Sequence, residues 1–466
     1  MFFQYDGFSP GKLLMAFHCA FLKKALLTFF GLSALVFMTA CDDDERILRG
    51  ERESVRAIVS ESENETTLSE SVTLDGPAPP IFLSAATSNP NWPQSIGTPA
   101  TRTRHPALGK APRLIWSVSI GEGDGRRGRI TADPVVANGL VYTLDSHARV
   151  SAVSTSGQLT WTRDLTPAGE SSSEASGGGI AHGGGTLFVS TGFGVLSALD
   201  ARTGNLLWEQ KLGATGSGAP AISGDLLYLV TGDDLAWALE TKTGRIKWQV
   251  SATPDIHNVM GAPAPAVSSK YAIFAFGSGE IISVFRRGGL RRWASQIAGQ
   301  RESYSSGRVA DITSDPVIQG DRVFIGSHSG RTVALGLETG KRLWTAPEGP
   351  LNTIWPAGDS IFLVSDRNEL LRLSSADGTR QWVYQLPFFR KSKPKRQSEI
   401  YAHHGPVIAG GQLIVASGDE TLRFFNPETG ELTSQTSLPG GATTNPVVAG
   451  GLLYVVASNG NLLAFR

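Results

Sequence analysis

Beyond residue 41 the sequence contains no cysteine: of 466 residues only Cys19 and Cys41 carry a thiol, both in the first tenth of the chain. A disulfide scaffold or a thiolate metal knot is therefore excluded for everything downstream. An excess of one charge is missing too. Lys and Arg number 42 against 42 Asp and Glu, which leaves no basic footprint for nucleic acid. No segment sustains the 3.6-residue apolar period of an amphipathic helix. No Gly-x-x-x-x-Gly-Lys-Ser/Thr sequence is present, and the glycine-rich SGGGIAHGGGT at 176–186 lacks the lysine and following helix that phosphate binding needs. The eight histidines are scattered apart from His403-His404. Neighbours on a strand point to opposite faces, which does not suit one shared metal, so no metal or cofactor site is expected. Ser327 and His328 in GSHSG (326–330) fall where sister segments have GSGE and ASNG, and read as a turn.

Two lysines, an apolar run, small residues and a cysteine follow one another in KKALLTFFGLSALVFMTAC (23–41), the three-part layout of a secretory signal. The run is short of the ~20 apolar residues that span a bilayer comfortably, and acidic residues follow it, so residues 1–40 are expected to be removed. Met15 is an alternative start. Without residues 1–40 the chain keeps 39 basic against 41 acidic residues, a net charge of −2. From Asp42 the sequence is acidic and Ser/Thr-rich, then Pro-rich, and 41–112 reads as a flexible tether too poor in apolar residues to order itself. Within it ILRGERESV (47–55) is an apolar-basic island, either a docking segment or plain linker.

Residues 113–466 repeat. A glycine, three residues and an aromatic recur as GQLTW (157–161), GNLLW (204–208), GRIKW (244–248), GLRRW (289–293), GKRLW (340–344), GTRQW (378–382) and a degenerate GELTS (430–434). The glycines are spaced 47, 40, 45, 51, 38 and 52 residues apart, the length of a propeller blade. Between them lie short Val/Leu/Tyr-rich runs bounded by Gly, Asn and Asp, which are strands joined by tight turns. Eight units start near Pro134, Gly179, Pro220, Pro265, Pro316, Pro356, Pro406 and Pro446. The eighth stops at Arg466 before its closing strand, while RLIWSVSIG (113–121) is a Trp-bearing strand with no unit before it. An all-β, eight-bladed β-propeller of four-stranded blades, closed by that N-terminal strand, accounts for both. The recurring Trp116, Trp161, Trp208, Trp248, Trp293, Trp344 and Trp382 read as packing residues between blades, each burying ~200 Å².

SALDARTGNLLW (197–208) and WALETKTGRIKW (237–248) resemble the tryptophan-docking repeat of the quinoprotein-like (PQQ-like) β-propellers. Met38-Thr39-Ala40-Cys41 resembles a bacterial lipobox with Met38 where Leu is usual, which makes Cys41 the expected lipidation site. Together with the tether, the eight units and the closing strand, this is similar to the BamB-type lipoproteins of the outer-membrane β-barrel assembly machinery. The resemblance implies a scaffold without catalytic activity, anchored in the outer membrane and facing the periplasm. It also implies a BamA-type partner, bound at its periplasmic POTRA domains, and no small-molecule substrate. Asp42 resembles the inner-membrane retention signal of enteric bacteria and leaves that location as an alternative.

The family's R-L-x-D-V-D contact loop resembles Arg308-Val309-Ala310-Asp311-Ile312-Thr313, where Asp311 matches and Thr313 departs. Its L-x-L-R-G loop aligns with His257-Asn258-Val259-Met260-Gly261, where Val259 is conservative and Met260 replaces the arginine. Arg308, Asp311 and an exposed Ile312, Val259 and Met260 are the resulting partner-binding candidates, an apolar patch with a charged rim. A quinoprotein-type oxidoreductase is the main rival, but its vicinal cysteine pair has no counterpart; a glycan-binding propeller is another. FFRKSKPKRQ (388–397) carries five basic residues, either a contact for anionic lipid or an acidic partner, or a solvated loop.

Overall fold

The computed structural model describes residues 78–214, 218–253, 262–297 and 312–466. Among them the strands form eight four-stranded antiparallel sheets, the blades of a β-propeller. In blade 1 the strands Val135–Ala137, Leu140–Leu144, Arg149–Ser154 and Leu159–Asp164 pair in chain order. The first is wholly buried along the axis; the last alternates exposed and half-buried at the rim. The inner strands of blades 2 to 8 are Gly178–Gly183, Ala221–Ser223, Ala266–Val267, Val317–Gln319, Trp355–Ala357, His403–Ala409 and Val447–Ala449. This up-and-down order puts the first-to-second and third-to-fourth turns on one face of the ring, here the turn face. The remaining turns and the blade-to-blade connections lie on the other, the connection face.

Closure is as expected from the two incomplete ends. Leu114–Ser119 pairs antiparallel with Asn461–Phe465 as the outer strand of blade 8. Arg113 and Arg466 exchange backbone N–H···O bonds of 2.8 and 2.9 Å, so no open sheet edge is left where the chain ends meet.

Each repeat tryptophan lies against the glycine of the next blade. A Cβ built on Gly157, Gly204, Gly244, Gly289, Gly340, Gly378 or Gly430 would come within 2.5–2.8 Å of the ring of Trp116, Trp161, Trp208, Trp248, Trp293, Trp344 or Trp382 respectively. All seven glycines have φ between +67° and +88°, so both backbone conformation and ring contact demand glycine. Six of the indole N–H groups donate to carbonyls of the same turns, those of Thr155, Ala201, Thr241, Leu337, Ser375 and Pro427. Trp248 has no such acceptor among the described residues; the equivalent carbonyl, Arg286, accepts from Tyr228 Oη at 3.0 Å. Ser434 of blade 7 stands opposite Phe424, as Trp208 stands opposite Ala198. Its neighbour is blade 8, where two chain ends replace the turn a tryptophan would cover. The break in the repeat and the break in the chain therefore coincide.

Residues 78–112 correct the tether expectation. They are ordered as a strap that runs round the axis on the turn face and bonds to the ring blade by blade. Asn89 O accepts from Gly450 N in blade 8, and Trp92 exchanges two backbone bonds with Val136 in blade 1. Pro93 O accepts from His182 N in blade 2, and Gln94 bonds both N and O of Ile222 in blade 3. Pro99 O accepts from Val267 N in blade 4, and Ala100 O from Ile318 N in blade 5. Arg102 donates to the carbonyls of Thr353 and Ile354 at the start of blade 6, and Pro106 O accepts from Gly410 N in blade 7. The inner strands offer an unpaired edge to the axis, and the strap supplies what those buried groups require. Residues 41–77 lie outside the described residues.

Candidate partner face and the channel cluster beneath it

Two blade-to-blade connections on the connection face carry the partner candidates. One joins Ile246–Ser251 of blade 3 to Ala266–Val267 of blade 4; the other joins Arg291–Gln296 of blade 4 to Val317–Gln319 of blade 5. Val259, Met260, Arg308 and Asp311 lie outside the described residues, as does Cys41. The flanks of both connections are described. Ile312 corrects the expectation of an exposed patch: it is 1% exposed, bridges to Ser327 and packs with Ile297, Ile325 and Val333. It anchors the end of its loop from below. Thr313, which departs from the family pattern, donates through Oγ1 to Pro350 O at 2.8 Å.

Asp315 ties the bases of the two connections together. Its Oδ1 accepts the backbone N–H of Ala264 at 2.7 Å, three residues past the first loop. Its Oδ2 accepts from Ser95 of the strap at 2.9 Å and from Thr353 of blade 6 at 3.0 Å. Arg102 is buried in the same region, its guanidinium 5.0 Å above the Trp355 ring, while Trp355 lies 6.1 Å from Trp92. Across the axis Asp133 accepts from the backbone N–H and side-chain amide of Asn445 at 2.8 and 3.0 Å. Asp133, Asp315 and Asn445 each precede the proline that opens an inner strand, a pattern visible in DP (133–134), DP (315–316) and NP (445–446).

Burial shifts these groups. It pushes the Asp133 carboxyl up to about 6 against the opposing Asn445 hydrogen bonds, and it raises Asp315 against the bond from Ala264. It lowers Arg102 to about 10, with Asp315 and Asp133 pulling the other way. On the inner strand of blade 7 burial, then the charge of His403, lowers His404 to about 4. Asp133, Asp315 and His404 keep some surface of their own yet are densely ringed by protein, and the shifts follow the surroundings.

The remaining candidates are structural. His403 donates from Nε2 to Pro387 O at 2.8 Å and accepts at Nδ1 from Ser417 Oγ at 2.7 Å, which uses both ring nitrogens in packing. Residues 328–330 form the expected turn. No group of three metal-ligating side chains occurs among the described residues.

The profile of the family described as outer membrane protein assembly factor BamB matches residues 146–384 and 391–466. The chain belongs to the BamB family. It is 30% identical over 363 residues to the outer membrane protein assembly factor BamB of Salmonella typhimurium, covering 76% of this chain and 88% of that one. It is 30% identical over 358 residues to the Escherichia coli K12 BamB, covering 75% and 88%. Among solved structures it is similar to BamB from Moraxella catarrhalis, with a TM-score of 0.62, 18% identity, and coverage of 76% of this chain and 100% of that one. A europium-containing methanol dehydrogenase shares the fold at a TM-score of 0.60 and 14% identity, covering 81% of this chain and 98% of that one. The ring is thus common to a BamB protein and a methanol dehydrogenase, and the fold alone does not choose an activity.

Proposed function

We propose that this chain is a non-catalytic lipoprotein scaffold of the outer-membrane β-barrel assembly machinery, anchored through Cys41 and facing the periplasm. Its connection face binds the periplasmic POTRA domains of a BamA-type protein. The observation that carries this reading is that Asp315, at the base of the connection into blade 5, holds Ala264 at the base of the connection into blade 4. The described flanks of both connections are held on the ring, which fixes where each loop begins and ends. Asp311, Arg308, Val259 and Met260 are the proposed contacts, and Ile312 supports them from the core. The oxidoreductase alternative is not favoured, since relatives named as BamB assembly factors match most of the chain.

The test is affinity purification in mild detergent from native membranes, comparing wild type with Asp311→Arg and identifying partners by mass spectrometry. Wild type is expected to recover the barrel-assembly protein, and the still-folded variant to lose it. A native complex without that partner overturns the scaffold reading.

A further inference from the structure

The connection between blades 6 and 7 has a different character from the partner loops. Residues 388–401 form a hairpin: Tyr401 N–H donates to Phe388 O, Arg390 N–H to Glu399 O, and Phe389 bridges to Ile400. Phe389 is 38% and Ile400 46% exposed, a paired apolar belt at the base. The tip carries a fully exposed turn at Pro394–Arg396. Arg390 is neutralised by Glu399 at 3.4 Å and lies over Tyr401. Lys391, Lys393, Lys395 and Arg396 have no ion-pair partner among the described residues. Four cations with no ion-pair partner among the described residues thus stand above an exposed apolar belt, on a protein whose net charge without residues 1–40 is −2.

The strap adds a second observation. Its first residues lie against the same sector of the ring but on the turn face: Arg372 of blade 6 donates to Pro79 O at 2.8 Å, and Ile81 N–H reaches Glu428 of blade 7 at 3.4 Å. The described chain therefore begins beside blades 6 and 7. We infer that the blade 6–7 rim is the membrane-facing edge, with the 388–401 hairpin as a second contact to anionic phospholipid. The inference rests on lipid anchoring at Cys41 as proposed above.

Residues 42–77 put 36 residues between Cys41 and the strap, a separation in sequence that by itself sets no orientation of the ring. A cationic hairpin in the sector where the strap begins supplies one. Three of the four are lysines, whose hydrated, rotatable charges suit diffuse headgroups, whereas bidentate recognition of protein carboxylates favours arginine. The exposed Phe389 and Ile400 add the apolar half of an interfacial contact. With this rim toward the bilayer the hairpin occupies only the blade 6–7 sector of the connection face, and the partner loops at blades 3 to 5 remain accessible.

The test uses the acylated full chain, its Cys41 acyl mass verified first, in nanodiscs of phosphatidylcholine alone or mixed with phosphatidylglycerol. An environment-sensitive fluorophore is attached at Ser392→Cys or, as a control on the same face between blades 1 and 2, at Ser173→Cys. Expected is a blue shift at 392 only, only with phosphatidylglycerol, and reversed by high salt. Each cation removed from the tip should cut the contact about five-fold, so the Lys391→Ser, Lys393→Ser, Lys395→Ser, Arg396→Ser variant should lose it with the ring still folded. A shift at both sites means the disc lies flat and overturns the edge-on reading. No dependence on anionic lipid, or an equal shift with soluble polyglutamate, overturns the lipid contact. Absence of the acyl mass sinks the anchoring reading alone, since the response at 392 is read separately.

Discussion

Asp315 Oδ1 accepts the backbone N–H of Ala264 at 2.7 Å, so a carboxylate at the start of blade 5 holds the chain entering blade 4. The contact spans the bases of both connections that carry the partner candidates. Through its other oxygen the same carboxylate holds Ser95 of the strap and Thr353 of blade 6.

Asp315→Ala is expected to destabilise the ring by about 3 kcal/mol, because it strands the Ala264 N–H and leaves Arg102 buried with less compensating charge. Limited proteolysis should cut within 254–261 and 298–311 sooner than in wild type, and partner recovery should fall although no contact residue has changed. Unaltered cleavage kinetics in a measurably destabilised variant would falsify the coupling.

Blade docking predicts an asymmetry between two positions. Trp382→Ala removes a fully buried indole and should cost about 3–5 kcal/mol in urea unfolding. Ser434→Trp restores the repeat by sequence but has no glycine turn to cover, so its stability should stay within about 0.5 kcal/mol of wild type. A clear gain at Ser434 means that the chain ends of blade 8 form a docking surface after all.

The strap predicts a global effect from a local change. Trp92 is wholly buried and bonds to blade 1, yet its segment reaches all eight blades. Trp92→Ala should lower stability by about 3–5 kcal/mol and weaken hydrogen-exchange protection on the inner strands of distant blades as well. Phe82→Ala, at a 79% exposed position, should do neither. Loss of protection confined to blade 1 shows that the strap does not couple the ring.

Two buried groups pull the pH dependence in opposite directions. Asp133 is raised from 3.8 to about 6, so its stabilising contribution is complete below pH 3.8 and is lost as pH rises to 6. His404 is lowered from 6.5 to about 4, so its contribution is complete above pH 6.5 and is lost as pH falls to 4. Each amounts to about 3 kcal/mol, and within the overlap they largely cancel. Asp133→Asn should therefore expose a loss of stability on acidification from pH 6.5 to 4, and His404→Gln a loss as pH rises over the same range. Chemical unfolding of the three proteins across that range checks the slopes; parallel curves sink the assignment.

The candidate site was only partly legible. Asp311 and its neighbours are candidates through likeness to a contact loop alone, and the sequence around them marks a connection between units. Ile312 reads as a surface residue in sequence, because an apolar side chain beside an acid in a loop has no periodicity to reveal which way it faces. The structure turns it into the core through its bridge to Ser327. Asp315 and Asp133 carried one faint signal, an acid before the proline of an inner strand. Nothing local distinguishes that from an ordinary turn, since its meaning depends on residues hundreds of positions away.

The sequence by itself determined the ring. A glycine and a tryptophan recurring every 45 residues or so, alternating strands and two incomplete ends specify blade number, docking residues and closure, because all of these arise from contacts between neighbouring units of the same kind. Only the tertiary structure decided that residues 78–112 are a strap. Polar and proline-rich, with Trp92 and Ile96 as its fully buried apolar anchors, the segment cannot order itself. Its bonding partners are the inner edges of eight strands, which exist as one continuous surface only once the ring has closed.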